Sequence, residues 1–357
     1  MLPTSDRETS RARLALTVLM VAALVAGAGC TGALDGSSGG AGSADPATDA
    51  VPENANAIAF VDVAGGMSDD TLRGVANHYL SLQAESGFGE SPSTVEEAVA
   101  QMENGTELDV SGLEGLTMFS HNTGEARLEG PVNGEYSAVI VQSSWSESEL
   151  VSAIESNAND ELEESTYAGA TIYQSNTDDS YLGVLGDGRF VAGTESAVTD
   201  ALDVEAGNAD AASGDVVSAF EDTEDGYVRF ASTVEEGQVP TEQLDQSGAV
   251  SNANIFNEVT LLSGAHYVDG DQIGIEMTMA TGDSDTALNL RDVLQGAASW
   301  GRNTVEGTEG SAEIAGLIDR DSLSVEQSGS DVTVTSTNSA DEIETLIDLF
   351  YGTAPTA

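Results

Sequence analysis

From Val51 onward the apolar positions follow two periods in turn. A short alternating run comes first, then a run with apolar residues three and four apart, the spacings of a strand and of a helix with one buried face. Ala138-Val139-Ile140-Val141 leads into Ser144-Trp145-Ser146-Glu147, which reads as a capping box, and then Leu150, Val151 and Ile154 on one helical face. Arg189 to Gly193 leads through Thr194 into Ala197, Val198, Ala201 and Leu202. Ile273 to Ala280 leads through Thr281-Gly282-Asp283 into Ala287, Leu290, Val293 and Leu294. Val332-Thr333-Val334 leads into the box Ser339-Ala340-Asp341-Glu342, then Ile343, Leu346, Ile347 and Phe350.

Three of these strands follow another strand across a tight turn. Asp187-Gly188 joins Tyr181–Leu185 to Arg189–Ala192, Asp269-Gly270 joins Thr260–Val268 to Ile273–Met279, and Ser328-Gly329 joins Leu323–Glu326 to Val332–Val334. Such dipeptides supply the positive φ of hairpin turns. The repeating unit is therefore strand, strand, helix. The predicted class is α+β, with antiparallel sheets and helices packed mainly on one face.

The order also suggests two similar halves, residues 51–204 and 216–352, on either side of the polar stretch 205–215. Each opens on a strand, Ala57–Val63 in one and Tyr227–Ser232 in the other. The first half adds helical stretches near 69–82 and 93–102, the second of these opened by Ser93-Thr94-Val95-Glu96.

The first fifty residues read differently. Arg7, Arg11 and Arg13 precede Leu14–Ala28, an uncharged apolar run too short to cross a bilayer as a helix, which needs about 20 residues. Small residues then lead to Cys30, the one cysteine of the chain. That is the order of a secretory signal peptide over residues 1–29. Gly27-Ala28-Gly29-Cys30 resembles a lipobox, with Gly27 where an aliphatic residue is usual. The resemblance implies cleavage before Cys30 and a lipid on its sulfur, so that the partner is the membrane and the location is its outer face. Ala12 separates Arg11 from Arg13, which leaves the general secretory and the twin-arginine routes both open. Residues 30–50, rich in Gly, Ser, Ala and Asp, read as a flexible tether with a span of about 25 Å.

Charge adds an environment. The 357 residues hold 62 acidic side chains against 10 basic ones, all of them Arg, for a net charge of −52. No clustered cations are available for phosphate, so nucleic acid is excluded as a direct partner. At molar salt the Debye length falls to about 3 Å and the mutual repulsion of so many carboxylates is largely screened. Acidity spread along the whole chain, over small aliphatic residues, resembles that of secreted proteins of extreme halophiles.

Tyr167-Ala168-Gly169-Ala170-Thr171-Ile172-Tyr173, followed by Asp187-Gly188 and Val191-Ala192-Gly193-Thr194, is similar to a pattern in uncharacterised extracytoplasmic proteins. With the lipobox, the chain resembles a haloarchaeal lipoprotein of such a family. This implies a location and an architecture and no reaction.

The search for chemistry is largely negative. Without Lys there is no Schiff base, no phosphate-loop lysine and no Ser–Lys dyad. No G-x-G-x-x-G follows a strand, and the one G-x-S-x-G match, Gly36–Gly40, lies in the tether. His78, His121 and His266 fall on a helix, a strand end and a strand, without metal-ligand spacing. The acids Asp222, Glu224 and Asp225, and Asp269, Asp271 and Glu276, fail the calcium-loop pattern. Trp145 reads as a staple within its capping segment and Trp300 as a residue after a helix C-terminus. Asn104-Gly105-Thr106 is the N-x-[ST] acceptor, placed in a polar loop after a helix, so Asn104 is a candidate for N-glycosylation. Neither a cofactor nor a metal is implied. The reading is a lipid-anchored, non-enzymatic binding or scaffold module of a halophile's surface. A carrier or receptor for a small apolar ligand or lipid, and a hydrolase with acidic catalytic residues, stand as alternatives.

Overall fold

The computed structural model describes residues 44–85, 91–121, 136–158, 161–176, 179–235, 238–239, 241, 252–305 and 322–351. In chain order the elements are β1 (Ala57–Asp62), α1 (Val63–Ser68), α2 (Asp70–Glu85), α3 (Val95–Thr106), β2 (Leu113–Ser120), β3 (Ser137–Ser143) and α4 (Glu147–Ala158). Then come β4 (Glu163–Tyr167), β5 (Ala170–Gln174), β6 (Tyr181–Gly186), β7 (Arg189–Gly193), α5 (Glu195–Glu205) and α6 (Asp215–Glu221). The rest are β8 (Val228–Thr233), β9 (Val259–Asp269), β10 (Gln272–Thr281), α7 (Ser284–Val305), β11 (Leu323–Ser328), β12 (Asp331–Ser339) and α8 (Ala340–Tyr351).

The fold is α+β. All twelve strands form one sheet in the order β11-β12-β10-β9-β8-β1-β2-β3-β7-β6-β5-β4, and every pairing is antiparallel. Reading outward from the central β1–β8 contact, β1-β2-β3-β7-β6 on one side repeats β8-β9-β10-β12-β11 on the other. The β4–β5 hairpin extends the first side alone.

The three hairpins lie where the dipeptides put them. Asp187 and Gly188 both have positive φ, 52° and 76°, and Gly270 and Gly329 have 70° and 61°. Gly188 is constrained twice over, because a Cβ there would lie 2.0 Å from the Ser143 carbonyl oxygen. That approach lets the Ser143 N–H donate to the Gly188 carbonyl at 2.9 Å, tying the turn to β3. Gly169, in the β4–β5 turn, has φ 91° with open space around it. Gly169→Ala should therefore cost about 1 kcal/mol, and Gly188→Ala about 3 kcal/mol through the same strain plus a displaced carbonyl. Urea unfolding of the two variants measures the difference, and equal costs would show that the close approach to Ser143 carries no energy.

Capping follows the boxes, with shifts. Ser339 and Glu342 exchange backbone hydrogen bonds as read, Ser339 N–H to Glu342 Oε2 at 2.8 Å and Glu342 N–H to Ser339 Oγ at 3.3 Å. Ahead of α4 the box is formed by Ser146 and Glu149 rather than by Ser144 and Glu147. Ahead of α3, Thr94 caps the Glu97 N–H. Trp300 lies inside α7, not after a helix end, because that helix continues to Val305.

Helices lie mainly on one sheet face. There α1 and α4 cover Val61, Leu116, Val139, Val141 and Phe190. On the same face α7 covers Val259, Met279 and Val332, and α2 with α8 covers Val268 and Ile273. The opposite face of the first half also carries a layer. Ala197, Val198, Ala201 and Leu202 of α5, and Val216 and Phe220 of α6, pack on Ile58, Phe119, Ile140 and Val191. Strand β3 is accordingly buried on both faces.

Two boundaries read from composition shift. A tether reaching residue 50 does not fit Ala47, Ala50 and Val51, which are 3%, 0% and 0% exposed. The Ala47 N–H donates to Thr117 Oγ1 at 2.9 Å, so the body begins by Ala44. The polar join at 205–215 is bonded in place: the Ala212 N–H donates to the Val51 carbonyl at 2.7 Å, and the Glu53 N–H to the Asp210 carbonyl at 3.3 Å. With β8 paired to β1 and Phe220 in the first core, the halves share one sheet and one interior.

Arginines act as clamps within this acidic chain. The Arg189 guanidinium reaches Asp49 at 3.1 Å and Glu205 at 2.8 Å. Arg229 sits 4.8 Å over the Phe220 ring and donates to the Phe220 carbonyl and Thr223 Oγ1, with Asp225 at 3.6 Å. Cation–π contact and carbonyl donation together fix α6 against β8.

Candidate functional site

Three places in the fold gather or bury polar side chains that could carry chemistry. At the end of the sheet where β2 stops and β3 begins, Tyr136 Oη lies 2.7 Å from Asn54 Oδ1 and 2.9 Å from Asp200 Oδ2. His121 Nδ1 contacts the Asn54 carbonyl at 2.8 Å. Burial and the Asp200 carboxylate push the Tyr136 phenol far above its ordinary value. It is therefore a hydrogen-bond donor at neutral pH and not an acid or a nucleophile. The cluster ties loop 53–56 to α5 and to the start of β3.

A shallow concavity of about 470 Å³ lies at the start of α4, lined by Ser146, Glu147, Ser148, Val151, Ser152 and Tyr173. Tyr173 Oη donates to Glu147 Oε1 at 2.7 Å, and burial first, then Glu147, pushes its pKa up to about 12. Ser146 and Glu149 already satisfy the helix start. The Glu149 carboxylate that accepts the Ser146 hydroxyl also accepts the Ser146 backbone N–H, so the pair serves as a helix cap.

The third place is β9. His266 is 7% exposed and its Nε2 has no hydrogen-bond partner. Burial depresses its pKa to about 3, so the imidazole is neutral.

The residues singled out by sequence do not converge. His78 is on α2, with Nε2 2.9 Å from Asp348 Oδ1 of α8; His121 lies just past β2 and His266 in β9. Among the described residues, no group of three or more His, Cys, Asp or Glu is placed to hold a metal ion. Asp225 serves Arg229; Asp269 and Asp271 flank the β9–β10 turn. Trp145 packs against the core and donates through Nε1 to the Asp109 carbonyl at 2.7 Å. Asn104 lies in the last turn of α3 rather than in a loop, exposed, its Nδ2 donating to the Ala100 carbonyl at 2.7 Å. Cys30 and the Gly36–Gly40 match lie outside the described residues.

The Tyr167–Thr194 pattern resolves into structural roles. Ile172 and Val191 are in the core, and a Cβ at Gly193 would lie 2.3 Å from the Ser137 carbonyl oxygen. Tyr167 Oη donates to Asp203 of α5 at 2.8 Å. The pattern marks how this part folds. Sequence reading missed the isolation of His266, since strand alternation signals a buried position but not an unmatched nitrogen.

No family model matches the chain, and no curated protein matches its sequence. Solved structures of TP0453 are similar in outline. Its crystal form III has a TM-score of 0.46 and 11% identity, covering 87% of this chain and 99% of that one. Crystal form IV has a TM-score of 0.44 and 12% identity, covering 85% and 97%. Likeness at this level says nothing of activity or partners.

Proposed function

We propose that this protein is an extracytoplasmic module of a halophile, held on the outer face of the membrane by a lipid on Cys30 and acting by binding or scaffolding rather than by catalysis. The observation that carries the reading is the order of the first segments: an arginine-bearing start, the apolar run Leu14–Ala28, the lone Cys30, and a Gly/Ser/Asp stretch that reaches the packed body at Ala44. This order resembles that of a haloarchaeal lipoprotein, with Gly27 where an aliphatic residue is usual, and no helix among the described residues is long and apolar enough to cross a membrane. Asn104 is the proposed glycosylation site on that exported surface; its exposure favours access, while the bond to Ala100 must break before its amide nitrogen can be modified.

The alternatives have less behind them. The concavity at α4, lined by three serines, a glutamate, Val151 and Tyr173, is shallow and open, whereas small-ligand sites enclose most of the ligand. The acids Asp62, buried, and Glu276, half-buried, both raised by desolvation, lie on separate strands and do not form the opposed pair of a hydrolase.

Cys30→Ser tests the anchor. The wild type should sediment with membranes and carry the mass of a lipid on its first mature residue. The variant should move almost wholly to the medium. Wild type found free in the medium, or a variant that stays with the membrane, would sink the reading.

A further inference from the structure

His266 lies in a row of inward side chains that crosses five strands. Val61 of β1 pairs with Val228 of β8, Val228 with His266, His266 with Ile275 of β10, and Ile275 with Ser336 of β12. One pleat along, on the same face, Val268 pairs with Ile273. Leu72 and Val75 of α2 and Ile343 and Ile347 of α8 pack with Val268 and Ile273, the neighbouring pair on the face that carries His266. The helix pair joins distant parts of the chain: α2 comes from between β1 and β2, and α8 follows the last strand. Polar contacts also tie the pair to its surroundings: the Ala340 N–H donates to the Asp271 carbonyl at 3.2 Å, the Val95 N–H to Asn77 Oδ1 at 2.7 Å, and Arg73 lies 3.8 Å from Glu96. Thr71 Oγ1 donates to the Gly270 carbonyl at 3.2 Å, Tyr227 Oη to Asp69 Oδ2 at 3.2 Å, and His78 meets Asp348 between the two helices.

A buried polar atom without a partner costs stability and is uncommon. Here it belongs to the one side-chain type whose ordinary titration falls near neutral pH. From the geometry we infer that the α2–α8 pair is an acid-operated cover, which lifts from the sheet when His266 takes up a proton. The closed state buries Nε2 and offers the imidazolium no protein partner there, and the lifted state offers water.

The ionisable groups on the surrounding elements do not cancel this. Asp62 is turned to the Gly65 N–H at the start of α1, and Tyr227 to Asp69. On α2, Asp70 holds Arg73, and His78 holds Asp348 of α8. Glu342 of α8 is occupied by Ser339, and Asp341 and Glu344 are on the same helix. In the sheet, β10 and β12 bring Ile275 and Ser336 to the row, while Glu276 faces the other side. Desolvation by burial is the cause of the depressed His266 pKa.

The sign follows from linkage. The lifted state binds the proton near pH 6.5 and the closed state only near about 3, so acidification through that window favours lifting. Hydrogen exchange in molar NaCl, corrected for intrinsic rates, tests it. Between pH 7.5 and 5, opening of α2 and α8 should rise about 30-fold, with α5 unchanged. His266→Gln should abolish the rise and His78→Gln should keep it. The inference fails if α2 and α8 do not respond, if α5 responds equally, or if His266→Gln behaves like wild type. Should that variant not fold, ring resonances of the wild type decide. A neutral His266 signal that persists to pH 5 beside a growing second set supports the cover. One signal shifting smoothly with a midpoint near 6.5 overturns it.

Discussion

Transferred from molar NaCl to dilute buffer, the body should unfold, losing its far-ultraviolet helical signal in one cooperative step and regaining it when salt is restored. The net charge of −52 is relieved by only ten arginines in the whole chain. Those whose contacts are described, Arg73, Arg189, Arg229 and Arg291, are already paired with carboxylates. The remaining acids face one another across water. At 1 M salt the screening length is about 3 Å, shorter than the spacing of neighbouring surface carboxylates; at 0.1 M it is about 10 Å and each acid feels several others. Many weak repulsions then add up against a stability of only about 5–15 kcal/mol.

Salt also strengthens apolar burial, and this interior depends on that. Much of it is Ala and Val: Ala138, Val191, Ala197, Val198 and Ala201 are each 0% exposed. Circular dichroism across a NaCl series, repeated with sucrose at equal water activity, separates the two effects. Sucrose should rescue poorly, because it does not screen charge. A native spectrum in dilute buffer would remove the halophilic reading and leave the acidity without an environment.

How far the sequence announces this fold depends on what each residue has to do. The hairpins at Asp187-Gly188 and Asp269-Gly270 are legible because positive φ restricts which residues fit. The Ser339–Glu342 cap is legible for a similar reason: two side chains at a fixed spacing satisfy two backbone donors. Which of several nearby serines caps a helix is less so, and the box of α4 moved from Ser144 to Ser146. The second helical layer, α5 and α6 over the first half, was hidden because a strand buried on both faces carries no alternation to show it. The polar join at 205–215 looked like a linker because its work is done by backbone groups, in the bonds to Val51 and Asp210. Tyr136 and Asp200 are 64 positions apart, and His266 stands in an apolar row, so neither could be read as a site from spacing.

Residues 44–51 were hidden by composition, and they support the other large prediction. A chain begun at Gly40 should be as stable as the full mature chain, and one begun at Glu53 should lose about 5 kcal/mol or fail to fold. The segment Ala44–Val51 shares the small-residue composition of the stretch before it, so it reads as tether. In the structure its Ala47, Ala50 and Val51 fill space beside Ile58, Phe60 and Phe119. Removing one buried valine and two alanines forfeits about 3 kcal/mol of apolar transfer, and the gap left against three large side chains adds about 2 kcal/mol more. Polar losses go the same way. Thr117 Oγ1 loses the Ala47 N–H, Arg189 loses Asp49, and the Ala212 N–H loses the Val51 carbonyl that holds the join between the halves. Asp62, whose carboxylate accepts from the Ala44 N–H as well as the Gly65 N–H, is left buried with one donor fewer. Urea midpoints of the two truncations in molar salt decide the matter. Equal midpoints would return residues 44–51 to the tether. A large gap would mean that a pull on Cys30 is taken up first by residues 44–51, through the bond of Ala47 to Thr117 of β2, before it reaches β1.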